Sequence, residues 1–460
     1  MTLSAPAQVE PDVSVATIAD LPFHVMGRLP KPMTVGRCGK HGIEGLSSKA
    51  FFERVRDVSL GLGALGIKAG DRVAIVAESR PDWLITDLAV LAAGGVTVPV
   101  YPTLSSTQVR YILADCGAKA AIISTREQLD KIQTIRHELP ELGAVILMDG
   151  WLETDSPSIL SFEALIARGH GRMTGEWGAG REFREAARRV SPDALATIIY
   201  TSGTTGEPKG VMLSHANLVS NMKAGSEALQ LSQADVALSF LPLSHGFERM
   251  VAYIYLFSGV TLVFAESLET IARDIAAVRP TLMTAVPRVF EKLHARIMEK
   301  GLAEPGIKNA IFRWAVGAGA ARGQAQLRGR HAGLLGSFQA ALADRLVFAK
   351  IRENLGDRIR YLVSGSAPLP ASIAEFFQGI GLPIIEGYGL TETAPILTVN
   401  PPDAPRVGTV GRALPGVELK IAEDGEILAR GPNIMSGYYN KPEATSDALR
   451  DGWFHTGDIG

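Results

Sequence analysis

The segment Tyr200-Thr201-Ser202-Gly203-Thr204-Thr205-Gly206-Glu207-Pro208-Lys209-Gly210 gathers hydroxyls, glycines and a lysine directly after the apolar run Ala196–Tyr200. Glycines let backbone N–H groups turn toward an anion, hydroxyls donate further hydrogen bonds, and the lysine brings charge. The composition is that of a loop that wraps phosphate. It is not the P-loop of strand-loop-helix NTPases, which needs four residues between its glycines and a Ser or Thr after the lysine. Here two residues separate Gly203 from Gly206, and Gly210 follows Lys209. Taken alone, the segment also reads as a flexible surface turn.

Four further segments carry residue types suited to chemistry. Leu241–Gly246 closes an apolar run with His245, which by itself reads more readily as a structural histidine. Val363–Leu369 ends another run in small residues, where a flat ring or a backbone can approach closely. Glu386–Thr393 offers the Tyr388 ring for stacking and the Glu392 carboxylate with flanking hydroxyls, a set that suits a hard cation such as Mg²⁺. In isolation it is also an ordinary glycine turn. Gly452–Asp458 places a carboxylate after a tight turn. A carboxylate paired with ribose hydroxyls grips a nucleoside sugar, although Asp458 alone reads as a turn residue.

The elements that must position these segments alternate. Helical periodicity over Ser47–Leu65, with Ser47 or Ser48 as N-cap, precedes strands at Arg72–Ala77, Val96–Val100, Ala118–Ser124 and Val145–Met148. Helices at Trp83–Ala93 and Thr107–Asp115 fall between them. Residues 149–192 read as a Gly-rich, charged connection. A second block holds strands at Ala196–Tyr200, Val236–Phe240, Val260–Phe264, Thr281–Ala285, Ile359–Ser364 and Pro383–Glu386. Helices begin in it near Ser214, Phe247, Leu268, Pro287 and Pro370. Alternation of this kind predicts mostly parallel, doubly wound sheets. In such sheets ligands sit outside the carboxyl ends of the strands, and the phosphate loop, His245, the Gly365 segment and the Tyr388 segment all fall there. After residue 400 short strands and turns follow, with Asp424-Gly425 as a hairpin signal.

At roughly 150 residues per domain, the 460 residues suggest about three units. These are an α/β segment with its N-terminal extension at 1–190, a second α/β segment at 191–387 with a helical insert at 300–355, and a small β-barrel-like segment at 388–460. The net charge of −2 gives no argument for nucleic acid. Cys38 and Cys116 lack metal-ligand spacing and read as buried thiols in a reducing compartment. The N-terminus lacks the pattern of a secretion signal, and Val251–Ala265 is too short to span a bilayer, so the expected location is cytoplasmic. Residues 301–360 hold ten Lys/Arg against four Asp/Glu. They read either as a solvated helical face or as a surface for a membrane or a polyphosphate.

Taken in order, the TSGTTGEPKG loop at 201–210, the strand-end His245, GSAPL at 365–369, EGYGLTET at 386–393, RGPNIMSGYY at 430–439 and GWFHTGDIG at 452–460 resemble the AMP-forming acyl- and aryl-CoA ligases. The resemblance runs from about residue 45 to the last residue, and LPLSHGFER at 241–249 is most similar to the long-chain fatty acyl-CoA ligase branch. It implies the large N-terminal domain of an adenylate-forming enzyme: two doubly wound α/β subdomains and a small β subdomain. Its substrates would be a fatty acid, ATP with Mg²⁺, and coenzyme A. A carboxylate attacks the α-phosphorus to give acyl-AMP and pyrophosphate, and the thiol of coenzyme A then displaces AMP.

By the same resemblance, Thr201, Ser202, Gly203, Thr204, Thr205, Gly206 and Lys209 would hold the β- and γ-phosphates. Thr201 and Glu392 would meet Mg²⁺. Gly365, Ser366, Ala367, Glu386, Gly387 and Tyr388 would line the adenine site, Thr391 would contact the α-phosphate, and Asp458 the ribose. His245 and Gly246 would lie between the acyl carboxylate and its tunnel. The implied catalytic residues are Thr204, His245, Thr391 and Glu392, acting by alignment and charge neutralisation.

Two departures stand out. Glu248 and Arg249 follow the histidine where some long-chain ligases carry an aromatic gate, so no gate is carried over. The family continues past the GDIG motif into a hinge and a small mobile domain with a lysine, whereas this sequence stops at Gly460. The expectation is a piece that binds ATP and acyl-adenylate with little overall activity. Alternatives are transfer to a carrier protein, or a non-catalytic nucleotide- or lipid-binding member. Peripheral membrane contact and a homodimer stay open.

Overall fold

The computed structural model describes residues 14–150, 158–172, 178–201, 207–327 and 333–460. They group into two compact units. The first takes Met1–Val35, Gly45–Ser220 and Met435–Thr445; the second takes Gly36–Glu44, Asn221–Ile434 and Ser446–Gly460. This grouping differs from the three sequence segments, because the first sheet does not stop near residue 190. The strands Leu195–Thr201 and Lys209–Ser214 extend it, and the short strand Gly437–Tyr438 completes its edge.

In the first unit the sheet runs in the order Gly437–Tyr438, Lys209–Ser214, Leu195–Thr201, Val96–Val100, Arg72–Val76, Ala120–Ile123, Ala144–Leu147 and Ile159–Ser161. The six strands from Leu195–Thr201 onward pair in parallel. Their residues are almost all buried, which accounts for continuous Val/Ile/Ala runs rather than alternation. The helix Ser48–Ala64 starts as the sequence predicts, with the Ser47 side chain accepting from the Ala50 N–H.

The region read as a loose connection contains two helices, Phe162–Gly171 and Gly178–Arg188. Its glycine at 169 permits a close helix crossing: a Cβ there would lie 1.8 Å from the Asp57 carbonyl oxygen. Phe183 is fully buried, with its ring stacked 5.0 Å from Phe23 and edge-on to Phe52. The charged run around it is the outer face of a core-forming helix. A glycine count cannot distinguish a close crossing from a turn.

In the second unit, the strands Ile384–Gly389, Tyr361–Ser364, Leu282–Ala285, Val236–Ser239 and Thr261–Phe264 are adjacent in that order and parallel. The antiparallel strands Ile396–Val399 and Arg412–Ala413 flank them at one edge. A separate four-stranded antiparallel sheet combines Glu418–Ile421, Glu426–Arg430, Trp453–Ile459 and Leu449–Arg450. Asp424-Gly425 turns its first hairpin as predicted. The insert forms helices Ile307–Leu327, Leu334–Ala343 and Ala349–Asn354.

The amino ends of the parallel strands share one buried anchor. Asp235 accepts from the Thr281 hydroxyl at 2.8 Å, from Arg360 Nη2 at 2.9 Å and from the Ser232 N–H at 2.9 Å. Three strand starts are thereby tied to a single carboxylate. Asp235→Ala is expected to destabilise the fold by about 1–3 kcal/mol, the scale of lost hydrogen bonds to a buried charge. Urea denaturation measures it, and an unchanged midpoint would contradict the anchor.

Candidate functional site

Within the second unit the parallel strands run into small residues at their carboxyl ends, and a cavity of about 260 Å³ opens there. Its lining comes from the predicted segments: His245 and Phe247, Gly365 and Ser366, and Gly387 through Thr391. Leu229, Val251, Ile396 and Val399 add apolar wall. The register explains the convergence, because Ala285 pairs with Ser364 and Ser364 with Glu386, so the parallel pairing of these strands stops at one level.

His245 caps the helix Gly246–Ser258, its Nδ1 accepting the Phe247 N–H at 3.2 Å. That bond places the ring proton on Nε2. Desolvation lowers the imidazole pKa below its ordinary value, so the ring is a neutral N–H donor at the cavity. Gly365 is required beneath Phe247, since a Cβ there would lie 2.6 Å from the ring carbon Cζ. Ser366 follows at φ 68°, a left-handed conformation uncommon outside glycine.

Tyr388 lies on the strand Ile384–Gly389 rather than in a turn after it. The strand runs past Glu386 because Gly387 and Tyr388 pair with Val399 and Thr398. The Tyr388 hydroxyl donates to Asp458 Oδ2 at 2.7 Å. Burial and the nearby carboxylate raise the phenol pKa, so it stays a donor. Asp458 itself is exposed and has a second oxygen available. Glu386 is buried, accepts the Leu369 N–H at 3.3 Å, and has its pKa raised by desolvation.

Thr391 lines the cavity, and Glu392 sits in the same 3₁₀ turn, Thr391–Thr393. Thr393 locks that turn, its hydroxyl lying 2.6 Å from the Pro395 carbonyl oxygen. Gly246, Ala367, Glu386, Glu392 and Asp458 neighbour the lining residues without lining the cavity themselves.

The phosphate loop belongs to the first unit. Ser202, Gly203, Thr204, Thr205 and Gly206 lie outside the described residues. Their flanks form an antiparallel hairpin in which Thr201 pairs with Lys209. This loop therefore joins two strands, where a P-loop enters a helix. The Lys209 ammonium sits 5.2 Å from the Tyr438 ring centre. Glu207 is held by Lys441 Nζ at 3.2 Å and by the Tyr111 hydroxyl at 3.4 Å.

Among the described residues, no group of three or more His, Cys, Asp or Glu could hold a metal ion. Mg²⁺ does not require such a cage, because it usually binds through one or two carboxylates together with substrate phosphates. The Glu392 carboxylate is an oxygen donor of that kind.

Sequence reasoning left two features unresolved. Phe247 and Val251, one helical turn apart, face the cavity, while Met250 and Tyr253 are buried in the core. Only the helix phase separates the two faces. Glu248 and Arg249 both point into the protein. The Arg249 Nε–H donates to the Tyr253 hydroxyl at 2.8 Å, and Glu248 Oε1 accepts from the Ser239 hydroxyl at 2.5 Å.

Comparison with known proteins fits this geometry. The chain belongs to the AMP-binding enzyme family, whose sequence profile matches residues 31–439. It is 39% identical over 414 residues to a long-chain-fatty-acid–CoA ligase of Mycobacterium bovis, covering 88% of this chain and 66% of that protein. It is 34% identical to the peroxisomal long chain acyl-CoA synthetase 6 of Arabidopsis thaliana, covering 87% and 58%. The chain thus spans two thirds or less of the length of these relatives. Among solved structures, MatB from Rhodopseudomonas palustris superposes with a TM-score of 0.69 at 26% identity, covering 97% of this chain and 76% of that one. The N-terminal domain of FACL13 from Mycobacterium tuberculosis shares the fold, with a TM-score of 0.70 at 21% identity and 96% of each chain covered.

The buried Glu248 makes a pH prediction. Desolvation pushes its carboxyl up to about 8, so the folded state holds a proton that the unfolded chain releases at the ordinary carboxylate pKa. Stability from this group is full below the ordinary value and falls as pH rises toward about 8. Glu248→Gln should remove that fall, on the order of 2–4 kcal/mol. Denaturation at pH 5 and pH 8.5 tests it, and parallel pH profiles for the two proteins would contradict it.

Proposed function

We propose that this chain activates a carboxylic acid of the long-chain fatty class as its acyl adenylate, and that the whole protein passes the acyl group to coenzyme A. The observation that carries the reading is the cavity at the carboxyl ends of the second sheet. It has a stacking ring at Tyr388, a neutral donor at His245, and a Tyr388–Asp458 pair suited to a ribose. The fatty-acid class rests on the long-chain ligases among its relatives and on the apolar wall of the cavity.

The roles follow from the donors present. Gly365, Ser366, Ala367, Glu386 and Gly387 shape the approach of the adenine to Tyr388, and the free oxygen of Asp458 accepts from ribose hydroxyls. Thr391 donates to the α-phosphate, and the His245 Nε2–H donates to the acid's carboxylate as Gly246 opens the helix beside it. Residues 201–206 and Lys209 cradle the β- and γ-phosphates. Thr201 and Glu392 would hold Mg²⁺, which when bound would neutralise phosphate charge.

In the first step a carboxylate oxygen bonds the α-phosphorus and the bond to the leaving pyrophosphate breaks. In the second the thiol sulfur bonds the acyl carbon, its proton is lost, and AMP leaves. No protein nucleophile takes part, so the chain's contribution is alignment and charge neutralisation.

In the full-length protein, Thr391→Ala and Glu392→Gln should each lower fatty-acid-dependent ATP–pyrophosphate exchange by about 10²–10³, the scale for removing one positioned stabilising group. Their melting temperatures should be unchanged. Exchange that is absent from the unsubstituted protein with every acid tried would overturn the adenylating role. Exchange followed by acyl transfer only to a phosphopantetheinyl carrier would overturn coenzyme A as acceptor.

A peripheral contact with an anionic membrane is also proposed. Among the described residues no helix is long and apolar enough to cross a membrane. The insert nonetheless exposes Phe338 (68%), Leu342 (39%) and Leu346 (50%) at four-residue spacing, beside the exposed Arg345 and Lys350. Exposed apolar side chains next to basic ones suit a lipid surface of negative charge. The protein should co-sediment with phosphatidylglycerol vesicles at low salt, and Phe338→Ser with Leu342→Ser should abolish this. Equal sedimentation of the variant, or none by the unsubstituted protein, would contradict it.

A further inference from the structure

The strand pair that presents Asp458 is irregular. Glu426 pairs with Ile459 and Leu428 with His455, so one residue on the first strand faces three on the second. The three are Thr456-Gly457-Asp458, a bulge with Gly457 at φ 74°. Bulges of this kind re-aim a side chain out of the regular pleat. Here the re-aimed side chain is Asp458, turned to the Tyr388 hydroxyl.

One carboxylate pins this bulge. Glu426 Oε1 accepts the Gly457 N–H at 2.8 Å, and Oε2 lies 2.8 Å from His455 Nδ1. Arg450 Nη2 lies 3.1 Å from the same ring nitrogen, so Glu426 and Arg450 meet at His455 Nδ1. The hydrogen bond from His455 and the one from Gly457 hold the Glu426 pKa below the usual carboxylate range. Two weaker braces complete the turn: the Thr456 hydroxyl donates to the Ile427 carbonyl at 2.7 Å, and the Asp458 N–H donates to the Thr456 oxygen at 3.1 Å. Glu426 thus grips the bulge on both sides of Thr456, at residues 455 and 457.

We infer that Glu426 is a positioning residue for nucleotide recognition: by holding the Gly457 bulge it aims Asp458 at the ribose hydroxyls. The inference rests on the proposed ribose role of Asp458 and adds that the selectivity for a hydroxylated sugar is set from the neighbouring strand. Glu426 touches no nucleotide in this account, and its effect is confined to ligands that carry the hydroxyls. Glu426→Ala removes both grips, whereas Glu426→Gln keeps an oxygen for the Gly457 N–H.

The test compares the affinities of the chain for ATP and for 2′,3′-dideoxy-ATP. The unsubstituted chain should prefer ATP by about ten- to hundredfold, the scale of hydrogen bonds to a charged group. Glu426→Ala should bring the ratio close to one by weakening ATP alone, and Glu426→Gln should keep most of the preference. A Glu426→Ala ratio equal to that of the unsubstituted chain overturns the inference. So does equal weakening of both ligands, which marks a merely structural role. If the unsubstituted chain shows no preference, the ribose role of Asp458 falls first and the inference with it.

Discussion

The site depends on one constraint, the register that stops the parallel pairing of three strands of the second sheet at a common level. Pairing Ala285 with Ser364 and Ser364 with Glu386 leaves the chain no choice about where the next residues emerge. The Gly365-Ser366 turn, the glycine-flanked Tyr388 and the Thr391–Thr393 turn follow from those ends. A slip of one residue would turn every side chain of the slipped strand to the opposite face, undoing the packing of the buried Leu362, Val363 and Ile385. Burial of the strands thereby enforces the geometry of the cavity.

Rigid anchors lie on both sides of that register. Asp235 ties the amino ends of the strands through Thr281 and Arg360. At the carboxyl ends the His245 cap sets the helix that delivers Phe247 and Val251, and Asn221 clamps Ile396 through both its amide groups. The buried Glu248–Ser239 bond lies on the same helix as the cap. Its full burial costs desolvation energy that the carboxyl limits by keeping its proton. The polar groups proposed to recognise ligand are thus carried by elements whose positions are already settled by packing.

Much of this was legible in the sequence, for identifiable reasons. The strands Val96–Val100 and Glu426–Arg430 fall where β-branched and apolar runs end at turn residues, and helices begin at or next to Pro287, Phe247 and Pro370. Motif order helped, because Thr201, His245 and Gly365 each lie at or after the end of a strand in an alternating fold. The misses share a cause. Gly169 looked like loop chemistry and is a helix crossing, and Tyr388 looked like a turn residue and is in a strand. In each case the deciding contact comes from a residue distant in sequence: Asp57 for Gly169, and Thr398 for Tyr388. The role inferred for Glu426 is of the same kind, since a bulge is visible only once its partner strand is in place.

The roles proposed for Tyr388, Thr391 and Asp458 all require the cavity at these strand ends to be the adenosine site. A crystal structure of the chain with bound AMP tests this most directly. The adenine should lie against Tyr388 and the Gly365–Ala367 turn, with the ribose hydroxyls on Asp458. Nucleotide bound elsewhere, with this cavity left to other contents, would contradict it.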